Sequence, residues 1–437
     1  MSETPPTEFG RNRQTSIYIS GLSGARPSVP VDVERLRLKA KEALAPEAYA
    51  YIAGGAGLER TMAANRSAFD RWQIVPRMLR DVSTKSSATT LFGRRIASPI
   101  LTAPIGVMEM AHPDADRASA RACASERVPM VFSNQASVPM EECAKILGTN
   151  ARWFQLYWSK SNDLVKSLVQ RAEACGCEAI VVTLDTTMLG WRVRDLDEAY
   201  LPFLRGKGIA QYTSDPVFRR MLRTASEHTA KGEDVAGGRK INLATLKVLV
   251  ELMQNYPDDW ATKLTSGDPL AAVQQFINVY SRPSLTWEDL AFLRECTSLP
   301  IVLKGIQHHD DARLAHEHGI DGIVVSNHGG RQVDGAIGSF DALERITQTL
   351  SDLDSPMTVL FDSGIRSGAD IFKAIAMGAD AVLLGRPWVY GLALGGEQGV
   401  REVLQNFKAD FELTMGLAGC TSLDEITKDC LRPLASV

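Results

Sequence analysis

The chain has 437 residues and 45% of them are apolar, enough to bury a large core. Its net charge of −4 and seven scattered cysteines exclude a basic nucleic-acid footprint and a disulfide-stapled scaffold, and leave the cysteines as incidental thiols of a reducing compartment. No run of ~18 apolar residues suggests a membrane span, and the N-terminus lacks a signal-peptide core, so the expected location is the cytosol.

Residues 1–30 are rich in Ser, Thr, Pro and Gly without a period, and predict a loosely held arm. Residues 31–98 predict a helical segment packing on the domain that follows. The helical pattern from Val31 to Tyr51 is broken by Pro46, which opens a second helix, and it stops at Gly54-Gly55-Ala56-Gly57.

From 99 to 395, short apolar runs alternate with amphipathic stretches such as Asp114–Glu126 and Asp163–Cys175. The runs are Pro99–Pro104, Pro129–Ser133, Trp153–Tyr157, Ala179–Asp185, Pro300–Lys304, Gly322–Asn327, Thr358–Asp362 and Ala381–Gly385. β-Branched runs bounded by Pro, Gly or polar residues mark strands buried on both faces. Eight such units in series predict a (β/α)8 TIM barrel. An open Rossmann sheet is disfavoured because no Gly-x-Gly-x-x-Gly follows the first strand. Strands four and five are separated by a long insertion. Its part from about 200 to 283, polar with one helical patch at 242–254, predicts a lid. Residues 396–437 predict a C-terminal helix, Glu397–Leu417, and a tail.

A barrel of this kind builds its site at the C-terminal strand ends. Polar groups fall at nearly all of them: Ser133, Gln155, Thr183, Asp185, Lys304, His328, Asp362 and Arg386, with Gly106 and Gly385 beside them. The loops after strands seven and eight carry Gly364, Arg366, Gly385 and Arg386, a combination suited to phosphate; ordinary glycine turns with surface arginines are the plainer reading. Lys304 is either a solvated strand end or a buried cation that forms a Schiff base or stabilises charge on a cofactor. His328, three residues before Arg331, suits a base beside a carboxylate clamp, or a plain turn. Asp185 is a structural carboxylate or the group that orients the histidine. His308-His309-Asp310-Asp311 opens a helix, where acids belong, and no spacing in the chain predicts a metal site.

The runs Ser326-Asn327-His328-Gly329-Gly330-Arg331-Gln332, Phe154-Gln155-Leu156-Tyr157, Thr183-Leu184-Asp185-Thr186, Leu303-Lys304-Gly305 and Asp362-Ser363-Gly364-Ile365-Arg366 resemble the FMN-dependent 2-hydroxy-acid oxidase and dehydrogenase family over residues 35–433. The resemblance implies FMN as cofactor, a small 2-hydroxy acid and oxygen as reactants, and a homo-oligomer without nucleic-acid or membrane partners. It implies His328 as base with Asp185 behind it, Arg192, Arg331 and Tyr51 on the substrate carboxylate, and Tyr157 on its hydroxyl. Pro104, Gly106, Ser133, Gln155 and Thr183 would line the flavin ring and Lys304 its charge-bearing edge. Asp362 would hold the ribityl chain, and Gly364, Arg366, Gly385 and Arg386 the phosphate.

Gly106, the segments 190–196 and 201–206 and the long insertion resemble the lactate 2-monooxygenase branch. There the lid would trap keto acid with peroxide until they react and lose carbon dioxide; an oxidase would release both. Gln135 departs from relatives, which place an aromatic or apolar residue against the substrate's side chain. A Schiff-base lyase using Lys304 and a flavin-binding barrel without turnover are the competing readings from other classes.

Overall fold

The computed structural model describes residues 8–229 and 243–434. Eight parallel strands close into a barrel: β1 Ile100–Thr102, β2 Met130–Phe132, β3 Arg152–Leu156, β4 Ile180–Thr183, β5 Ile301–Ile306, β6 Gly322–Val325, β7 Thr358–Phe361 and β8 Ala381–Leu384. Each strand neighbours the next, and β8 pairs with β1.

Side chains alternate across a strand with period two, and here the alternation sorts them cleanly. Leu101, Val131, Trp153, Val181, Val302, Val324, Leu360 and Leu383 fill the barrel interior. Their neighbours Ile100, Phe132, Phe154, Val182, Leu303, Val325, Phe361 and Leu384 pack outward in the larger core shared with the helices. A hairpin of Thr89–Leu91 and Arg94–Ile96 brings Leu91 and Ile96 against the interior cluster. Two residues beyond each interior residue stand Ala103, Ser133, Gln155, Thr183, Lys304, Ser326, Asp362 and Gly385. The parity that fills the barrel with aliphatics therefore aims these groups at one point above them.

Three expectations change. The segment read as a loose arm contains a helix, Phe9–Leu22, docked on the C-terminal helix: Gly10 N–H donates to Glu412 at 3.3 Å and Arg13 to Asn406 at 3.0 Å. Residues 1–7 lie outside the described residues. The insertion is largely helical, with Pro216–Thr229, Leu243–Asn255, Trp260–Ser266 and Asp268–Val279, and part of the expected patch at 242–254 falls just outside the described residues. Its core is aromatic: Tyr212 meets Phe218 and Phe276 at 5.6 and 4.9 Å, and Phe203 meets Phe276 at 5.1 Å. The fully buried Asp215 ties it to the barrel helix Asn162–Ala174 through Arg171 at 3.1 Å. The C-terminal helix starts earlier than expected, at Arg386, and runs to Leu417 with a kink at Gly395–Gly396.

Beyond it, Leu431–Pro433 pairs antiparallel with Trp72–Ile74. No helix among the described residues is long and apolar enough to cross a membrane.

Candidate active site

Above the barrel lies a cleft with an open volume of about 1080 Å³. The site builds up from the turn after β6. His328, Gly329 and Gly330 all have positive φ, at 57°, 65° and 75°. The turn is held by Asn327, whose side chain accepts from Gly330 N–H at 3.0 Å and pairs with the amide of Asn65 at 2.8 and 2.6 Å. A methyl group at Gly330 would stand 2.8 Å from Met62 N, so the helix Arg60–Asp70 approaches too closely for any other residue. The result is an imidazole fixed at the mouth of β6, with His328 N–H donating to Ser326 Oγ at 3.1 Å.

His328 Nδ1 lies 2.7 Å from Asp185 Oδ1, at the end of β4. Thr186 Oγ1 sits 3.0 Å from the same carboxylate oxygen and 3.3 Å from the imidazole. Burial lowers the pKa of His328 although Asp185 opposes the shift. For Asp185 burial works upward, but His328 and Lys304 outweigh it and hold the carboxyl below its usual range. The pair is thus a neutral imidazole against a carboxylate, the charge state of a base waiting for a proton.

Lys304 is buried, donates to Ser326 Oγ at 2.9 Å and pairs with Asp362 at 3.1 Å. Burial lowers its pKa, but Asp362 and Asp185 raise it above the usual lysine value overall. An ammonium whose charge two carboxylates favour is a poorer Schiff-base nucleophile and a good counter-charge.

Four arginines of the cleft have no ion-pair partner among the described residues. Arg331 donates to the carbonyls of Tyr51 and Gly54 at 2.5 and 2.9 Å, and its guanidinium stands 5.0 Å from the Tyr51 ring centroid. Arg192 donates to Arg331 O and to Gln332 Oε1 at 3.3 and 3.0 Å. Arg366 and Arg386 bond backbone carbonyls of Ile365, Ile52, Gly329 and Gly54. Burial first and neighbouring arginines second depress Arg331 to about 9 and Arg366 to about 10, and Arg386 moves the same way. Arg192 is buried and Arg331, Arg366 and Arg386 are half-buried, and such cations without a counter-charge are costly. Two pairs of them, one beside His328 and one after β7 and β8, call for two anions.

The remaining residues fit a ring and a chain between those anions. Gln155 Nε2 and Thr183 Oγ1 are buried without a partner among the described residues, while Gln155 Oε1 accepts from Asn134 N–H at 3.1 Å. Buried polar atoms are normally paired, so a hydrogen-bonding ligand edge is missing here. Gly385 faces open space, its nearest would-be contact being Ile105 Cδ1 at 3.8 Å. Pro104, Gly106, Gln135, Tyr157, Asp362 and Gly364 line the cleft, together with Tyr51, Arg192, Lys304, His328, Arg331, Arg366, Gly385 and Arg386. Ser133, Gln155 and Thr183 are buried at the strand ends, and the side chain of Asp185 is 8% exposed behind His328. A flavin mononucleotide, with a polar ring edge, a hydroxylated chain and a phosphate, fits this donor set.

Sequence reasoning passed over Leu189, Phe203 and Tyr280, which the insertion contributes to the cleft. It also passed over Ser326, which receives both Lys304 and the His328 amide, and over Gln332, which donates to Asp185 O at 2.7 Å. Ser326 and Gln332 were within reach as the flanks of the histidine run, and Phe203 as part of the segment 201–206; Leu189 and Tyr280 carried no signal. His308, His309 and Asp310 bring ligand atoms within 4.8 Å, with His308 and Asp310 exposed; His308 serves as helix cap, accepting from Asp310 N–H at 3.2 Å.

Fold and site together define a flavin-dependent barrel oxidoreductase. Residues 40–433 match the FMN-dependent dehydrogenase family, and the chain belongs to that family. It is 41% identical to an FMN-dependent alpha-hydroxy acid dehydrogenase of Penicillium citrinum, covering 99% of this chain and 98% of that one. It is 38% identical to an L-lactate oxidase of Lysinibacillus sphaericus (92% of each chain) and 38% identical to 2-hydroxyacid oxidase 1 of Homo sapiens (91% and 95%). A solved structure of mandelate oxidase with (S)-4-hydroxymandelic acid superposes with a TM-score of 0.74 at 35% identity, covering 92% of this chain and 98% of that one. The protein is an FMN-dependent 2-hydroxy-acid oxidoreductase.

Proposed function

We propose that the protein oxidises a small L-2-hydroxy acid of the lactate kind at its 2-carbon, with oxygen as final acceptor. The carrying observation is His328 Nδ1 at 2.7 Å from Asp185, in a cleft shared with the unpaired Arg192 and Arg331. In this reading Arg192 and Arg331, with Tyr51 beside them, clamp the substrate carboxylate, and Tyr157 bonds the hydroxyl. His328 takes a proton from the substrate, and Asp185 stabilises the imidazolium that forms. Bound FMN supplies the acceptor for the electron pair. Pro104, Gly106, Ser133, Gln155 and Thr183 hold its ring, Asp362 its ribityl chain, and Gly364, Arg366, Gly385 and Arg386 its phosphate. The Lys304 ammonium offsets negative charge on the ring. A homo-oligomer belongs to the same reading, and sedimentation velocity tests it.

Anaerobic bleaching of the flavin by lactate, glycolate and related acids tests the activity; a flavin that stays oxidised with all of them refutes it. The simplest balance turns hydroxy acid and oxygen into keto acid and hydrogen peroxide. A second reading, of the lactate 2-monooxygenase type, yields the shortened acid, carbon dioxide and water. The insertion favours it, because it brings Leu189, Phe203 and Tyr280 to the lining of the cleft in which keto acid and peroxide would meet. Gly106, which resembles that branch, also has a packing role: a methyl group there would stand 2.5 Å from Gln135 O. Stoichiometric pyruvate and peroxide from lactate would reject the monooxygenase reading; acetate would support it.

A further inference from the structure

We infer that Gln135 selects 2-hydroxy acids whose side chain ends in an uncharged hydrogen-bonding group, such as a carboxamide or a hydroxyl. The inference rests on the 2-hydroxy-acid oxidation proposed above and names the substrate class within it. Gln135 is 8% exposed, and what is exposed lines the cleft shared with Tyr157, Arg192 and His328. Its backbone N–H donates to Ser133 Oγ at 3.1 Å, but its side-chain amide has no hydrogen bond among the described residues. An amide carries two donors and an acceptor, and with none of them bonded to the protein the head of this side chain is free to meet a polar group of a ligand in the cleft.

The placement is enforced by the backbone around it. Gln135 O accepts from Val107 N–H at 2.9 Å, Ala136 O from Ala210 N–H of the lid at 3.2 Å, and Ser137 N–H donates to Asp116 Oδ2 at 2.9 Å. Gly106 makes the room, since a methyl group there would stand 2.8 Å from Gln135 Cβ. A loop held at successive residues presents its side chain to the cleft with little freedom to turn away. Of the residues the insertion brings to the same cleft, Leu189 and Phe203 are apolar and Tyr280 carries a hydroxyl, so the amide is a principal group that a polar substituent would find. A second carboxylate suits the position less well. Glu109 and Asp116 stand behind the loop, Glu109 accepting from Gly208 N–H at 2.9 Å, and Gly208 itself packs against Gln135 O.

Three nearly isosteric acids separate the possibilities: L-2-hydroxyisocaproate, L-2-hydroxysuccinamate and L-malate end in an isopropyl, a carboxamide and a carboxylate. Stopped-flow reduction of the anaerobic holoenzyme gives a rate constant and a Kd for each. The expected result is a preference of about tenfold or more in their ratio for the carboxamide over both others. Gln135→Leu is expected to reverse the order of carboxamide and isopropyl. Should that variant lose its flavin spectrum, Gln135→Met supplies the same comparison. Reduction by all three acids without preference, or an order unchanged by the substitution, overturns the inference and leaves the oxidation standing. A flavin that none of the three acids, nor lactate or glycolate, reduces overturns the proposed function and this inference with it.

Discussion

The Nδ1 of His328 and the Oδ1 of Asp185 lie 2.7 Å apart although 142 residues separate them in sequence, and β4 and β6 bring them together from either side of β5. The contact leaves Nε2 as the free nitrogen of a neutral ring. Replacing His328 with Gln removes the proton acceptor while keeping a polar side chain of similar reach. Flavin reduction is expected to fall by about 10²–10⁴ with FMN still bound. Stopped-flow absorbance measures both, and near-normal reduction in this variant would remove His328 from the role.

The direction of the His328 shift sets a pH dependence. The base works when neutral, and burial lowers its pKa below the ordinary imidazole value of about 6.5. The reduction rate at limiting substrate should therefore stay level from alkaline pH down to about 6.5 and decline only below it. Asp185→Asn removes the carboxylate that opposes the shift, so the decline should move to still lower pH on a reduced plateau. A midpoint above the ordinary imidazole value would contradict the assignment.

Burial depresses the pKa values of Arg366 and Arg386, with neighbouring arginines adding to the shift, and neither has an ion-pair partner among the described residues. Arg366→Ala should weaken FMN binding by about 10–100-fold, the worth of one charge-assisted hydrogen bond. Fluorescence titration of apoprotein with FMN measures this. Riboflavin, which lacks the phosphate, should bind the native protein and the variant alike.

Glu109 is a half-buried acid outside the proposed chemistry, raised to about 7 chiefly by desolvation and also by Asp116. A carboxyl raised on folding is destabilising wherever the unfolded chain would ionise it, so its cost grows from about pH 4.5 to 7. Glu109→Gln keeps an acceptor for Gly208 N–H and removes the charge. It should stabilise the fold at pH 8 by on the order of 2–3 kcal/mol and hardly at all at pH 4. Denaturant melts at the two pH values measure the difference; an equal effect at both would show that the charge is irrelevant.

The barrel and most of its mouth were legible in the sequence because a strand buried on both faces needs an unbroken apolar run, and eight such runs stood out. The polar ends were legible by the same rule, since Lys304, Asp362 and Gln155 each interrupt a run at its exit. The lid was harder to read. Phe203, Tyr212, Phe218 and Phe276 pack together in space, yet they are too widely spaced in the chain to make a periodic stripe. The helix Phe9–Leu22 was missed for a related reason: it is held by polar contacts at Gly10 and Arg13, while Tyr18, Ile19 and Leu22 are exposed. The packing need for glycine at Gly106 was not legible. Its cause lies in the carbonyl of Gln135, a neighbour no sequence pattern announces.

The pairing of Trp72–Ile74 with Leu431–Pro433 also constrains how the chain is made. The first partner leaves the ribosome roughly 350 residues before the second, some tens of seconds at 5–20 residues per second. Throughout that interval the leading segment, which carries Tyr51 and Asn65, lacks the strand that anchors it. Closure of the barrel waits as well, since β1 must receive β8 from the far end of the chain. The nascent protein therefore passes through a stage with open sheet edges and exposed apolar strands, when aggregation competes with folding. Completion of the last strand pairing converts a vulnerable polypeptide into an enclosed catalyst.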